Sequence, residues 1–126
     1  MRLCQVLVCE SGHLLAHRLQ LDRSDTSWLL RHVTSPRDCI KRLPTGSPAI
    51  VVLSIAEQLD PGLELLAWLQ LHRPRVRVIV VTSSTAPNEL SELCWSLGAC
   101  LVLSTNGVKD VPRTIQTLIA ATESEF

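Results

Sequence analysis

The amino-acid sequence predicts an α/β fold in which a five-stranded parallel sheet carries helices on both faces. Short apolar, β-branched segments alternate five times with segments whose apolar residues have helical spacing. The length of 126 residues suits one domain with a single substantial core. The content of 46% apolar and 19% charged residues is typical of a folded globular chain.

The first elements follow from apolar patterning and turn residues. CQVLVC (4–9) is a short apolar run that predicts a buried strand, and GHLLAHRLQLD (12–22) has leucines at helical spacing. WLLRHV (28–33) is more polar and indicates a strand at the sheet edge. A serine-proline pair at 35–36 then begins a helix, because proline suits the first helical turn, and Pro44 stops it.

The middle of the chain contains the most apolar segments. AIVVLSI (49–55) is a continuous β-branched run, typical of a strand buried on both faces. An aspartate-proline pair at 60–61 supplies a cap and first-turn proline for a leucine-rich helix that ends before Pro74. VRVIVVTS (76–83) predicts the fourth strand.

The last third contains the remaining elements. PNELSELCWSL (87–97) predicts a helix, and Gly98 lies where a left-handed cap favours glycine. CLVLS (100–104) predicts the fifth strand, and the last helix is expected from about Asp110. The domain is assigned to residues 1–122, with 123–126 as a frayed polar tail.

Strands joined by right-handed helical crossovers leave few topologies for so short a chain. The leading prediction is the flavodoxin-like strand order 2-1-3-4-5, with any ligand at the carboxyl ends of the strands. The alternative is a fragment of a larger nucleotide-binding α/β domain. CESGH (9–13) has one glycine after the first strand, so the Gly-rich loop that binds dinucleotides is not supported.

Composition limits the partners and cofactors. Twelve basic and twelve acidic residues cancel, so nucleic-acid or membrane contact is not expected, and the default location is cytoplasmic. The five cysteines form no C-x-x-C pair and are expected to act mainly as small apolar side chains. His13 and His17 are expected to be a solvated pair and not metal ligands. No cofactor is predicted.

Four motifs in order resemble the receiver domains of bacterial two-component response regulators, over essentially the whole chain. VLVCES resembles the first strand with its acidic pair, and AIVVLSIAEQLDPGLELL resembles the third strand, phospho-acceptor loop and third helix. VIVVTS and LGACLVLST resemble the fourth strand with its switch hydroxyl and the turn into strand five. The resemblance implies a regulatory module whose chemistry depends on an aspartate, Mg²⁺ and a lysine.

The motif residues of this chain depart from that family pattern. The phospho-acceptor position holds Ser54, the acidic pair is Cys9 and Glu10, and the switch hydroxyl is Thr82. The lysine position falls on Thr105, or on Ser104 if the alignment shifts by one residue. Mg²⁺ favours carboxylate and water oxygens, and phosphoryl transfer relies on metal and lysine charge. Serine also cannot form a labile acyl phosphate. We therefore expect that phosphotransfer is lost. In an alternative arrangement, which also lacks phosphotransfer, backbone amides hold the Glu10 carboxylate.

A receiver without phosphotransfer retains the surfaces that meet other proteins. The family commonly uses helix 4, strand 5 and helix 5 for dimerisation and output contacts. We expect partner contact or a homodimer there, with these candidate interface residues: Trp95, Glu92, Lys109 and Arg113. Trp68, on the apolar third helix, is a further candidate interface residue outside that surface. For Trp95 the alternative is ordinary core or half-buried packing.

Two functions follow from different classes. The first is a phosphorylation-independent, non-enzymatic receiver-like interaction module, the regulatory half of a transcription regulator or signalling protein. The second is a small-molecule-binding domain or enzyme that uses the crevice at the strand ends. That crevice is polar and nearly uncharged and has no predicted histidine, so an acid–base pair is hard to build. The first is favoured.

Overall fold

The structure, a computed structural model, describes residues 4–10, 12, 14–22, 28–45, 49–55, 61–83, 85–104 and 110–124. Its five strands, β1 to β5, are Cys4–Cys9, Trp28–Val33, Ala49–Ile55, Arg77–Thr82 and Leu101–Ser104. Its five helices, α1 to α5, are Leu14–Asp22, Pro36–Arg42, Pro61–His72, Asn88–Ser96 and Val111–Ser124. The predicted alternation of strands and helices is confirmed.

The strands form one parallel sheet in the order β2-β1-β3-β4-β5. This confirms the predicted topology and places β2 at an edge, as its polar composition indicated. The inner strands β1, β3 and β4 are almost wholly buried, whereas β5 at the other edge is half-buried along its length.

Two apolar clusters cover the two faces of the sheet. One lies under α2, α3 and α4 and includes Cys39, Leu66 and Leu90. The other lies under α1 and α5 and includes Leu19 and Ile115. Helices therefore cover both faces, because each apolar helical stripe is removed from water only against the sheet.

Local signals at the helix ends act as predicted. The Ser35 hydroxyl caps α2 by accepting a hydrogen bond from the Asp38 N–H at 3.2 Å. Gly98 follows α4 with φ of 103°, the left-handed conformation that favours glycine.

The carboxyl end of the chain differs in detail from the expectation. Helix α5 begins at Val111, so Asp110 precedes it, and Lys109 lies outside the described residues. The helix continues to Ser124, two residues into the stretch that was expected to be a frayed tail.

Candidate functional site at the carboxyl edge of the sheet

The carboxyl ends of the strands meet at one edge of the sheet. The strand registers align the last residues of β1, β3, β4 and β5 along this edge. The structure therefore places four of the predicted site residues at the carboxyl edge of the sheet: Cys9, Glu10, Ser54 and Thr82. The fifth, Thr105, lies outside the described residues.

The sheet separates these four residues between its two faces. Successive side chains of a strand point to opposite faces, so Ser54 shares a face with Val52, under α1 and α5. The Glu10 carboxylate contacts α1 on that same face. Cys9 belongs to the opposite cluster, under α2 to α4, and strand alternation places Thr82 there too. The two residues at the acidic-pair position therefore point to opposite sides.

The Glu10 carboxylate binds the amino end of α1. Its Oε1 accepts a hydrogen bond from the Ala16 N–H at 2.7 Å, and its Oε2 accepts one from the Leu15 N–H at 3.1 Å. The first N–H groups of a helix have no partner within the helix and carry partial positive charge. Glu10 thus caps α1 from the end of the neighbouring strand, and the alternative in which backbone amides hold this carboxylate is confirmed.

The expectation that this edge has no histidine is wrong, because the side chain of His32, which the sequence reasoning missed, lies near Glu10. The Nε2 of His32 lies 4.0 Å from Glu10 Oε1, and both side chains are mostly buried. His32 is the penultimate residue of β2 and aligns with Val8 of β1. The available signal was an imidazole near the end of a strand adjacent to β1. Using that signal required the strand order and knowledge of which face of the sheet each side chain points to.

The Thr82 hydroxyl faces the interior of the sheet. Thr82 is 4% exposed, and its Oγ1 donates to the Leu103 carbonyl of β5 at 3.5 Å. The next residue, Ser83, is exposed, and its Oγ lies 3.0 Å from Thr85 Oγ1 and accepts from the Thr85 N–H at 3.3 Å. The hydroxyls of Thr82, the last residue of β4, and of Ser83, which follows it, are therefore hydrogen-bonded within the protein.

The residues of this edge do not fit a magnesium site. Mg²⁺ favours several carboxylate and water oxygens in octahedral geometry. Here the Cys9 thiol lies in an apolar cluster, and both Glu10 oxygens already accept backbone hydrogen bonds. Over the described ranges, no group of three or more His, Cys, Asp and Glu side chains could hold a metal ion. His17 is exposed, and His13 lies outside these ranges.

Cys39 is a second residue that the sequence reasoning missed. It lies on α2 and is buried in the apolar cluster that also contains Cys9, at the end of β1. Hydrogen bonding to the Cys9 thiol and burial raise the pKa of the Cys39 thiol above its ordinary value. Cys94 lies in the same cluster, and burial raises the pKa of its thiol.

The candidate interface residues differ in exposure. Trp95 on α4 is 48% exposed, which excludes burial in the core and leaves half-buried packing as the alternative, and Glu92 on the same helix is also exposed. Arg113 on α5 is exposed. Trp68 on α3 instead is half-buried against the core, and its ring centroid lies 4.8 Å from that of His72.

Solved receiver domains share this fold. The signal receiver domain of an HD domain-containing protein from Pseudomonas fluorescens Pf-5 superposes with a TM-score of 0.82 at 18% identity, covering 99% of this chain and 93% of that one. A CheY-like receiver domain protein from Methanospirillum hungatei JF-1 gives 0.77 at 16% identity, covering 99% and 100%. A Francisella response regulator receiver domain gives 0.75 at 16% identity, covering 94% and 98%. The chain therefore has the receiver fold.

No protein-family model and no curated protein matches the sequence. Within the described residues, no helix is long and apolar enough to cross a membrane.

Proposed function

We propose that this chain is a receiver-like regulatory module that acts through protein–protein contact, independently of phosphorylation. It is not an enzyme, and it works in the cytoplasm as the regulatory half of a transcription regulator or signalling protein. The observation that carries the proposal is the state of the carboxyl edge, where Ser54 replaces an acceptor carboxylate and Glu10 is bound to the backbone of α1.

The chemistry of this edge supports loss of phosphotransfer. A serine at position 54 would form a stable ester in place of the labile acyl phosphate of an aspartate. Bringing Mg²⁺ to Glu10 would compete with the two backbone hydrogen bonds that cap α1. The Cys9 thiol points into the core and adds no charge for a metal ion. The edge thus lacks the concentration of negative charge that offsets dehydration of a divalent cation.

The surface of α4, β5 and α5 supports the interaction role. Trp95 and Leu93 on α4 are 48% and 38% exposed, and the neighbouring edge strand β5 is half-buried throughout. Exposed Glu92 on α4 and exposed Arg113 on α5 supply charges of opposite sign on the two helices. Interfaces favour an aromatic anchor surrounded by polar groups. We therefore assign self-association to this surface, with Trp95 as its anchor.

The first experiment tests independence from phosphorylation. The chain is incubated with acetyl phosphate and Mg²⁺, or with beryllofluoride and Mg²⁺, and followed by intact mass and by amide NMR around Ser54. We expect no added phosphoryl mass and no saturable shift. A stoichiometric phosphoryl adduct, or saturable beryllofluoride binding, would contradict the proposal.

The second experiment tests the interaction surface. Sedimentation velocity over a concentration series compares the wild type with Trp95→Ala and with the matched control Leu71→Ala, whose side chain is 76% exposed on α3. We expect wild type and Leu71→Ala to associate alike, and Trp95→Ala to weaken association at least tenfold, because hot-spot truncations have effects of about 2 kcal/mol or more. A monomeric wild type, or equal association of all three proteins, would overturn this assignment.

A further inference from the structure

The charged residues of this chain cancel in number but are separated in position. Residues 65–77 contain three arginines and no acidic residue, whereas residues 78–108 contain two glutamates and no lysine or arginine. Helix α2 adds two further cations in its last turn. The zero net charge therefore combines a basic region around the ends of α2 and α3 with an acidic region on α4.

One hydrogen bond joins the basic residues at the ends of α2 and α3. Arg73, the residue after α3, donates from Nη2 to the Pro44 carbonyl, two residues beyond α2, at 2.5 Å. The Val76 N–H donates to the Arg73 carbonyl at 3.0 Å, which closes a turn with proline at its second position and Arg75 at its third. We call the four basic residues around this junction the basic corner: Lys41, Arg42, Arg73 and Arg75.

The basic corner is largely open to solvent. Lys41, Arg42 and Arg75 are exposed, and Arg73 is half-buried. Their charges come from two helix ends and a turn that are held together by the backbone contact of Arg73. The corner therefore presents several cations to an anionic partner at one place on the surface.

Helix α4 presents the opposite charge beside an exposed aromatic ring. Glu89, Glu92 and Trp95 follow one another at intervals of three residues, so they are neighbours along the helix surface, and all three are exposed. Leu93 on the same helix is 38% exposed. We call the first three residues the acidic face of α4.

We propose that the acidic face of α4 in one copy of the chain binds the basic corner of a second copy. This inference rests on the proposed self-association through Trp95 and names the surface that receives it. Carboxylates pair with guanidinium groups, and an indole ring also attracts a guanidinium above its face, so glutamate beside tryptophan suits a surface of exposed arginines. Helix α4 against a second α4 would instead bring glutamates of like charge together.

Contact between two different surfaces has a consequence for assembly. Each bound copy still has one unused acidic face or basic corner, so further copies add in the same way. Association should therefore continue beyond a dimer as the protein concentration rises. A contact of one surface with itself would stop at two copies.

The experiment is sedimentation velocity over a concentration series, with variants that each disrupt one surface. The double variant Arg42→Glu, Arg75→Glu reverses the basic corner, and Trp95→Ala truncates the anchor on α4. The control Arg18→Glu, Arg31→Glu makes the same change in net charge at exposed positions on α1 and on the edge strand β2. We expect each disrupted surface to weaken association at least tenfold and the control to associate as the wild type does.

Mixing the two disrupted proteins then tests the head-to-tail contact directly. Trp95→Ala retains the basic corner, and Arg42→Glu, Arg75→Glu retains the acidic face, so an equimolar mixture should form a heterodimer and stop there. A mixture that stays monomeric would overturn the proposal. Wild-type association of Arg42→Glu, Arg75→Glu would also overturn it, and would leave Trp95 as the anchor of a different contact if Trp95→Ala still associates weakly. A monomeric wild type would overturn both this contact and the proposed self-association.

Discussion

Replacing Glu10 with alanine removes the cap that β1 supplies to α1. The two lost hydrogen bonds join a mostly buried carboxylate to the Ala16 N–H at 2.7 Å and the Leu15 N–H at 3.1 Å. A helix cap contributes about 1 kcal/mol to stability, and a hydrogen bond to a charged group makes a net contribution of about 1.5–3 kcal/mol. Because solvent can reach the vacated helix end, we expect a net loss of about 2 kcal/mol in the free energy of unfolding.

Glu10→Gln separates charge from shape in the same position. The amide keeps one carbonyl oxygen that can accept from an N–H of α1, but its NH₂ group cannot accept the other. It also removes the favourable interaction between a carboxylate and the positive end of the helix. We therefore expect this variant to lose about 1 kcal/mol, between the wild type and Glu10→Ala.

The assay is urea unfolding followed by far-UV circular dichroism, with midpoints and slopes fitted for each protein. The control is Glu64→Ala, which removes an exposed carboxylate from the first turn of α3 and so changes a comparable helix-end charge at the surface. We expect this control to lose at most about 0.5 kcal/mol. Equal losses in Glu10→Ala and Glu64→Ala would refute the capping role, since surface charge alone would then account for both.

Three further predictions use matched positions. Gly98→Ala should lower the free energy of unfolding by about 1–2 kcal/mol in urea titrations, because φ is 103° at this position. Gly12→Ala should be near neutral, because an added Cβ there meets nothing within 4 Å. Similar losses in the two variants would contradict this account. In the same assay Leu66→Ala, which truncates a buried side chain, should lower the free energy of unfolding by about 2–5 kcal/mol. Leu71→Ala, at an exposed position of the same helix, should lower it by less than about 0.5 kcal/mol. The reverse order of these two losses would count against the assigned burial. Ser54→Asp should gain no phosphoryl mass from acetyl phosphate with Mg²⁺, because one restored carboxylate does not supply the other metal ligands, and a stoichiometric adduct would show that the edge can still hold the ion.

Much of the fold could be predicted because its signals are local. The β-branched run of β3 and the serine-proline start of α2 depend on a few consecutive residues, and both elements occur where those patterns place them. Strand β4 is one residue shorter at each end than the predicted segment 76–83, and β5 begins one residue later than the predicted segment 100–104. These ends differ because the last hydrogen bonds of a strand depend on the neighbouring strand. The placement of the candidate site residues at one edge of the sheet followed from the topology alone.

The sequence predicts which residues lie at the candidate site but not which groups their side chains contact. Sequence reasoning placed Glu10 and Thr82 at the edge. It did not predict that Thr82 would donate its hydroxyl to a carbonyl of β5, and it offered the binding of Glu10 to backbone amides only as an alternative. It left Trp95 open between core and surface, because α4 has apolar residues on more than one side and only packing decides which side the sheet covers.

The sequence by itself determined the order of strands and helices, the parallel α/β class and the presence of a serine at position 54. Only the tertiary structure decided that the Glu10 carboxylate accepts hydrogen bonds from the first turn of α1 and that His32 lies near it. The physical reason is the separation along the chain over which each kind of interaction acts. Periodicity and caps act within one or two helical turns, whereas hydrogen bonds between side chains on different elements depend on strand register, side-chain parity and helix docking, which exist only once the whole sheet has formed.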